Sequence, residues 1–312
     1  MPGPVRPHHP LDPVGLLWAL AAATLGGTVG IAAKGLLLYQ AGPLPISALR
    51  TAVAAFALAL ALLLFRRSAL RLEGKDLPFF VLYGLVGVAA MYLLYILAVM
   101  EIGATLATAL FYVYPTIATL LAALFLKERL TWRKALPLPV TFLGCLLAVG
   151  IGSGERLAWH PAGLAAGFLA ATAFALYPLL ARRAMARYSP WTTLFYSLLF
   201  GALWLNLLWG TLCPFLPADG RFCGTPPPPS GDRLFWLVLL YLALFATVGL
   251  YLADLQAIRR LEVRQVGLIG TLEPLITGLL AYLLFRERFT PLQWLGAALI
   301  LSGVAWLRWE KM

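Results

Sequence analysis

YPTIATLLAALFLKERLTW (Tyr114–Trp132) and EPLITGLLAYLLFRERFTP (Glu273–Pro291) align without a gap. Pro115 falls on Pro274, Glu128 on Glu287 and Thr131 on Thr290. The same register carries Tyr92 onto Tyr251, Ala98 onto Ala257 and Gly144 onto Gly303. A weaker likeness links PVGLLWALAAAT (Pro13–Thr24) with PAGLAAGFLAAT (Pro161–Thr172). The chain therefore reads as a duplication: residues 1–153 form one half and residues 154–312 the other, within one integrated membrane domain.

Both aligned stretches are apolar, and so is most of the chain around them. Of 312 residues, 62% are hydrophobic and 12% charged, against about 45–50% and about 25% in soluble domains. A soluble core cannot enclose so large an apolar share, which leaves a polytopic membrane protein. Apolar runs of the length a span needs, about 20 residues, predict ten helices: 16–35, 44–65, 77–99, 104–126, 135–151, 161–181, 191–212, 234–255, 266–285 and 292–309. Turn chemistry separates them, as in EIG (Glu101–Gly103) and the proline-rich GTPPPPSGD (Gly224–Asp232). The first run begins near Val14 without a small-residue cleavage site, so it reads as a span and not as a removed signal.

The net charge of +11 does not read as a nucleic-acid surface. The basic residues sit in short clusters between apolar runs: RRSALRLEGK, KERLTWRK, ARRAMAR and IRRLEVR. With the N-terminus inside, the inner segments hold seventeen of the 24: Arg6, Arg66, Arg67, Arg71, Lys75, Lys127, Arg129, Arg133, Lys134, Arg182, Arg183, Arg187, Arg259, Arg260, Arg264, Arg308 and Lys311. The outer segments hold six: Lys34, Arg156, Arg221, Arg233, Arg286 and Arg288. The positive-inside rule then predicts N-in and C-in, with the protein in the cell (inner) membrane. Five spans per half make the halves enter the bilayer from opposite sides. The predicted fold is all-α, ten transmembrane helices as two inverted five-helix repeats. Inverted halves can exchange conformations about a site near the midplane, which is a transporter mechanism.

The paired YP…KERLT and EP…RERFT segments, the ten spans and the five-plus-five duplication resemble the EamA-type family of drug/metabolite transporters. The segment YLADLQAIRRLEVRQVGLIGTLEPLITGLLAYLLFRERFTPLQ is especially similar to threonine/homoserine-type exporters. The resemblance implies a ten-helix inverted-repeat exporter of small metabolites, often amino acids or their analogues.

A helix lining a polar cavity needs polar residues at helical spacing. The candidate walls offer Tyr112, Tyr114 and Thr116 in the fourth span and Thr277 in the ninth. The third and eighth spans add Tyr92, Tyr95, Thr247, Tyr251 and Asp254; the first and sixth add Thr24, Thr28, Thr172 and Tyr177. Each threonine has an alternative, bonding to its own backbone. Pro115 and Pro274 sit mid-span, as paired hinges or as static kinks.

Three ionisable residues lie within spans. A charge in hydrocarbon costs at least ~2.5–3.5 kcal/mol, so each must face the bundle or reach an interface. Asp254, near the inner end of its span, is read as reaching the headgroups or pairing with Arg259. Arg50 either pairs with an acid or a substrate carboxylate, or extends to outer water. Glu273, far from both surfaces, has three readings: it binds a substrate ammonium, carries a proton, or hydrogen-bonds a neighbouring helix.

Cys213 and Cys223 bracket CPFLPADGRFC in the longest outer loop, as a disulfide or as two free thiols. Glu128 and Glu287 read as loop architecture. Thr290-Pro291-Leu292-Gln293 reads as a capping box and Thr131 as a cap for the fifth span. GAALILSG (Gly296–Gly303) reads as a helix-packing or dimer surface.

The expected function is a secondary exporter of small polar metabolites, with protons as a candidate coupling ion, acting as a monomer or homodimer. The expectation includes no catalytic residue, metal or cofactor, and no nucleic-acid partner. His8, His9 and His160 lie outside the spans, with no nucleophile–base motif and no phosphate-binding glycine loop. A membrane-embedded enzyme and a facilitative channel are the alternatives.

Overall fold

The computed structural model describes residues 12–37, 42–126, 131–149, 160–215, 223, 232–285 and 290–309. Among these, every regular element is helical. Besides the short turns Arg67–Leu70 and Trp132–Ala135, they are in chain order α1 (Pro13–Leu37), α2 (Pro43–Phe65), α3 (Gly74–Ala104) and α4 (Leu106–Phe125), and α5 (Pro137–Ala148). Then come α6 (Pro161–Met185), α7 (Pro190–Leu212), α8 (Arg233–Ile258) and α9 (Val263–Leu284), and α10 (Pro291–Trp309). Seven of the helices are long and apolar enough to cross a membrane; α1, α5 and α10 contribute shorter apolar stretches. Large apolar side chains such as Phe56, Leu64, Leu124 and Leu284 point outward, unburied, as a lipid-facing surface requires.

Proline decides where many of these helices begin. Six of the ten open on it, at Pro13, Pro43, Pro137, Pro161, Pro190 and Pro291. At the first helical position its missing N–H costs nothing and its fixed φ is already helical. Side chains complete other starts. Ser189 Oγ accepts from the Thr192 amide at 3.1 Å, and Glu262 and Gln265 form a capping box at the head of α9. Thr290 and Gln293 exchange bonds of 2.8 and 3.3 Å at the head of α10. Thr131 departs from its expected role. It occupies the cap position of the turn Trp132–Ala135 but makes no side-chain capping bond.

The α3–α4 junction has almost no loop. Gly103 turns the chain alone, at φ 78°, a left-handed conformation that only glycine adopts cheaply.

The halves pack in matched pairs. α3 and α4 lie along α6, and α8 and α9 lie along α1; α2 packs on α7, α4 on α9 and α5 on α10. Exchanging the halves turns this set of contacts into itself. At α5–α10 the backbones meet closely: a Cβ on Gly144 would lie 2.9 Å from the Gly296 carbonyl oxygen. Gly296, Ile300 and Gly303 of the GAALILSG stretch are thus used within the chain. The pairing extends to helix irregularities. Leu85–Ala90 of α3 and Leu244–Gly249 of α8 both wind as π-helix, in the same register of the repeat.

Glu128 and Glu287 lie outside the described residues.

Candidate functional site

The helices that carry the repeat are broken where it is strongest. α4 interrupts at Tyr112–Val113 and α9 at Thr271–Leu272. Tight i→i−3 bonds mark both breaks: Val113 N to Leu110 O and Thr116 N to Val113 O at 3.0 Å, Leu272 N to Ile269 O at 3.0 Å and Leu275 N to Leu272 O at 3.1 Å. New helix starts at Tyr114 and Glu273. Pro115 and Pro274 are therefore second residues of fresh segments and not interior kinks, so each spares a donor that is unpaired at any helix start. Both prolines lie mid-span as expected, each at a turn-and-restart of its helix.

Beside the break in α9 lies a narrow cleft of about 40 Å³ between α1, α4, α6, α8 and α9. Ala19, Ala22 and Ala23 make one wall, and Tyr114, Phe174 and Tyr177 another. Glu273 and Asp254 both line it, near enough to interact electrostatically. Gly26 on α1 leaves room for the glutamate, since a Cβ there would lie 2.6 Å from Oε1. Asp254 thus turns inward, and its expected reach to the headgroups or Arg259 is not what the fold builds. The clue is spacing: Asp254 follows Tyr251 by three residues and shares its helix face.

A second polar cluster adjoins the cleft. Tyr83, Tyr177 and Tyr251 form a column with ring centroids 5.2 and 5.0 Å apart. Arg50, on α2, is buried, so the reading that sent it to outer water is corrected. Its guanidinium lies over Tyr92, 4.3 Å from the ring centroid, and interacts electrostatically with the Tyr251 phenol.

The remaining candidates divide. Tyr114 and Tyr177 line the cleft, while Tyr112 is buried beside Tyr114. Tyr95 shares a 2.7 Å hydrogen bond with Thr108. Thr277 donates to Gly27 O at 2.8 Å and Glu273 O at 3.0 Å, tying α9 to α1. Thr28 donates to Leu25 O at 2.6 Å and accepts from Tyr241 at 2.8 Å. Thr24 is exposed and bonds to Leu20 O; Thr116 is half-buried. None of Thr24, Thr28, Thr116 and Thr277 lines the cleft. Away from it, Cys213 and Cys223 are joined as a disulfide, Cα atoms 5.5 Å apart.

A crystal structure superposes with a TM-score of 0.77 at 20% identity, covering 94% of this chain and 96% of its own; this likeness concerns the fold. An uncharacterized transporter of Archaeoglobus fulgidus is 25% identical over 84% of this chain and 87% of its own length. A probable terminal-alkyne amino-acid exporter of Streptantibioticus cattleyicolor is 28% identical over 85% of this chain and 83% of its own. The profile of the EamA-like transporter family matches twice, over residues 13–150 and 161–309. This chain is an integral membrane protein and belongs to the EamA-like transporter family.

Proposed function

We propose that the protein is a secondary transporter that exports small polar metabolites, amino acids or related compounds, by alternating access across the inner membrane. In this reading residues 1–153 and 154–312 are inverted five-helix halves, N-in and C-in, with the site on the seam between them. The carrying observation is that two carboxylates, Glu273 and Asp254, line one cleft where α4 and α9 of opposite halves meet. Intramembrane acids facing a cavity are functional by default, as ligands for a cation or as proton carriers. The Streptantibioticus relative, a probable amino-acid exporter, supports amino acids as the class.

The test is flux in proteoliposomes loaded with a panel of amino acids, with and without a pH gradient. Saturable efflux of chemically unchanged substrate supports the reading. Altered substrate would instead indicate an enzyme, non-saturable flux a channel, and no flux above empty liposomes would end the proposal.

A further inference from the structure

Arg50 is the buried cation that the acids of the cleft do not explain. Its Nε has no hydrogen-bond acceptor, and no described carboxylate forms an ion pair with it. A guanidinium carries five N–H donors, and the face of Tyr92 satisfies none of them as a hydrogen-bond acceptor would. Charges this deep persist when they are paired or face a ligand. Counting from the prolines that open α2 and α7, Ser197 stands in the second half where Arg50 stands in the first, so the cation is not imposed by the repeat.

The surroundings supply geometry for a ligand. Tyr251 interacts electrostatically with the guanidinium. Asp254 follows one turn along the same face of α8, about 4.5 Å of helix rise away. Tyr177, whose ring lies 5.0 Å from that of Tyr251, lines the cleft together with both carboxylates, so the tyrosine column joins the surroundings of Arg50 to the cleft.

We propose that Arg50 anchors the substrate's carboxylate while Asp254 and Glu273 face its ammonium, so that the protein selects zwitterionic α-amino acids over simple amines and simple acids. This rests on the exporter reading and narrows its substrate class. Guanidinium suits the role because it meets a carboxylate with two parallel hydrogen bonds.

The experiment uses the full chain purified in detergent and reads ligand-induced thermal stabilisation. The probes are the proteinogenic L-amino acids; then, for whichever stabilises most, its carboxamide and its des-amino acid. The wild type should half-saturate with the amino acid at a concentration roughly 30-fold or more below either analogue, the scale for leaving one member of a buried charge pair unpaired. Arg50→Gln should raise the amino-acid value to that of the amide and leave the amide unchanged; Arg50→Lys should recover part of the preference. Equal binding of amino acid and amide by the wild type overturns the proposal, and that comparison needs no variant to fold. A preference that survives Arg50→Gln also overturns it, while leaving the exporter reading intact. Absence of stabilisation by every amino acid, together with absence of flux, counts against that reading itself.

Discussion

The two halves build one backbone and furnish it differently. In the register that puts Pro115 on Pro274, Tyr95, Thr108, Phe111 and Tyr114 of the first half fall on Asp254, Gly267, Gly270 and Glu273 of the second. Both sets stand beside the same helix break and downstream of the same π-turn. The first set fills its space. Tyr95 bonds Thr108, and Phe111 packs on Tyr95, Tyr114 and Phe174 with centroids 5.4, 5.5 and 5.1 Å away. The second set replaces two of those side chains by glycine and two by acids, and the cleft lies there. A duplicated fold thus becomes a polar site by removing aromatic volume from one copy and adding charge to it.

The largest expected effect comes from removing that charge. Glu273→Gln keeps the shape and hydrogen-bonding reach of the side chain but cannot carry a proton or neutralise an ammonium. Efflux driven by a pH gradient should fall to the level of empty liposomes, while amino acid still stabilises the purified protein through Arg50 and Asp254, at higher concentration than for the wild type. Unchanged gradient-driven flux would reduce Glu273 to a strut.

Restoring the missing volume should act almost as strongly. Gly270→Phe places in the second half the ring that fills the first, directly against the Tyr114 hydroxyl that now overhangs Gly270. Efflux and ligand-induced stabilisation should both disappear. Overpacking itself should cost about 1–3 kcal/mol, so the protein should still be recoverable from membranes for thermal unfolding. Efflux at the wild-type rate would mean that the cleft is not the path.

The converse change is smaller. Phe111→Ala opens the corresponding space in the first half, where no acid stands ready. Phe111 is only half-buried, so the loss in stability should fall below the 3–5 kcal/mol typical of a fully buried ring, at about 2–3 kcal/mol. It should appear in thermal unfolding with efflux largely kept. If efflux is lost instead, the aromatic side is part of the transport machinery.

Most of this architecture is legible in the residues. Proline starts, the duplication and the isolation of Glu273 follow from local chemistry and spacing. What the sequence conceals is rotation. The π-turn Leu244–Gly249 adds a residue to one turn of α8, and Thr247 bonds back five residues to Leu242 O at 2.8 Å. Side chains after it are turned relative to those before it, while Tyr251 and Asp254, both beyond the π-turn, keep the common face that their spacing gives. Arg50 is a similar case: two turns from an interface, only the position of the Tyr92 ring decides between water and core. Thr24 stands off the cleft because it lies on the exposed face of α1, away from Ala19 and Ala23, with its hydroxyl bonded to Leu20 O.

A last pair of contacts makes the comparison at the edges of the bundle. Glu101, at the α3–α4 turn, meets His160 before α6, with Oε2 and Nδ1 3.0 Å apart. In the register of the repeat Glu101 falls on Arg260, and the residue before the opening proline of α6 falls on that of α1, Asp12. Arg260 and Asp12 are indeed bonded at 2.9 Å. The same tie is made twice, with acid and base exchanged. The Arg260 guanidinium, through its hydrogen bond, holds the Asp12 carboxyl below its ordinary 3.8, with the Val14 amide adding to it. A carboxyl depressed in the folded state lends stability above its unfolded pKa and loses it as pH falls through the folded one. Arg260→Ala should therefore lower the thermal midpoint slightly at neutral pH, and the gap from wild type should close as the medium is acidified below the ordinary carboxylate range. The effect is the smallest expected because both partners are solvent-accessible. A gap that widens on acidification would show that Arg260 acts through some contact other than Asp12.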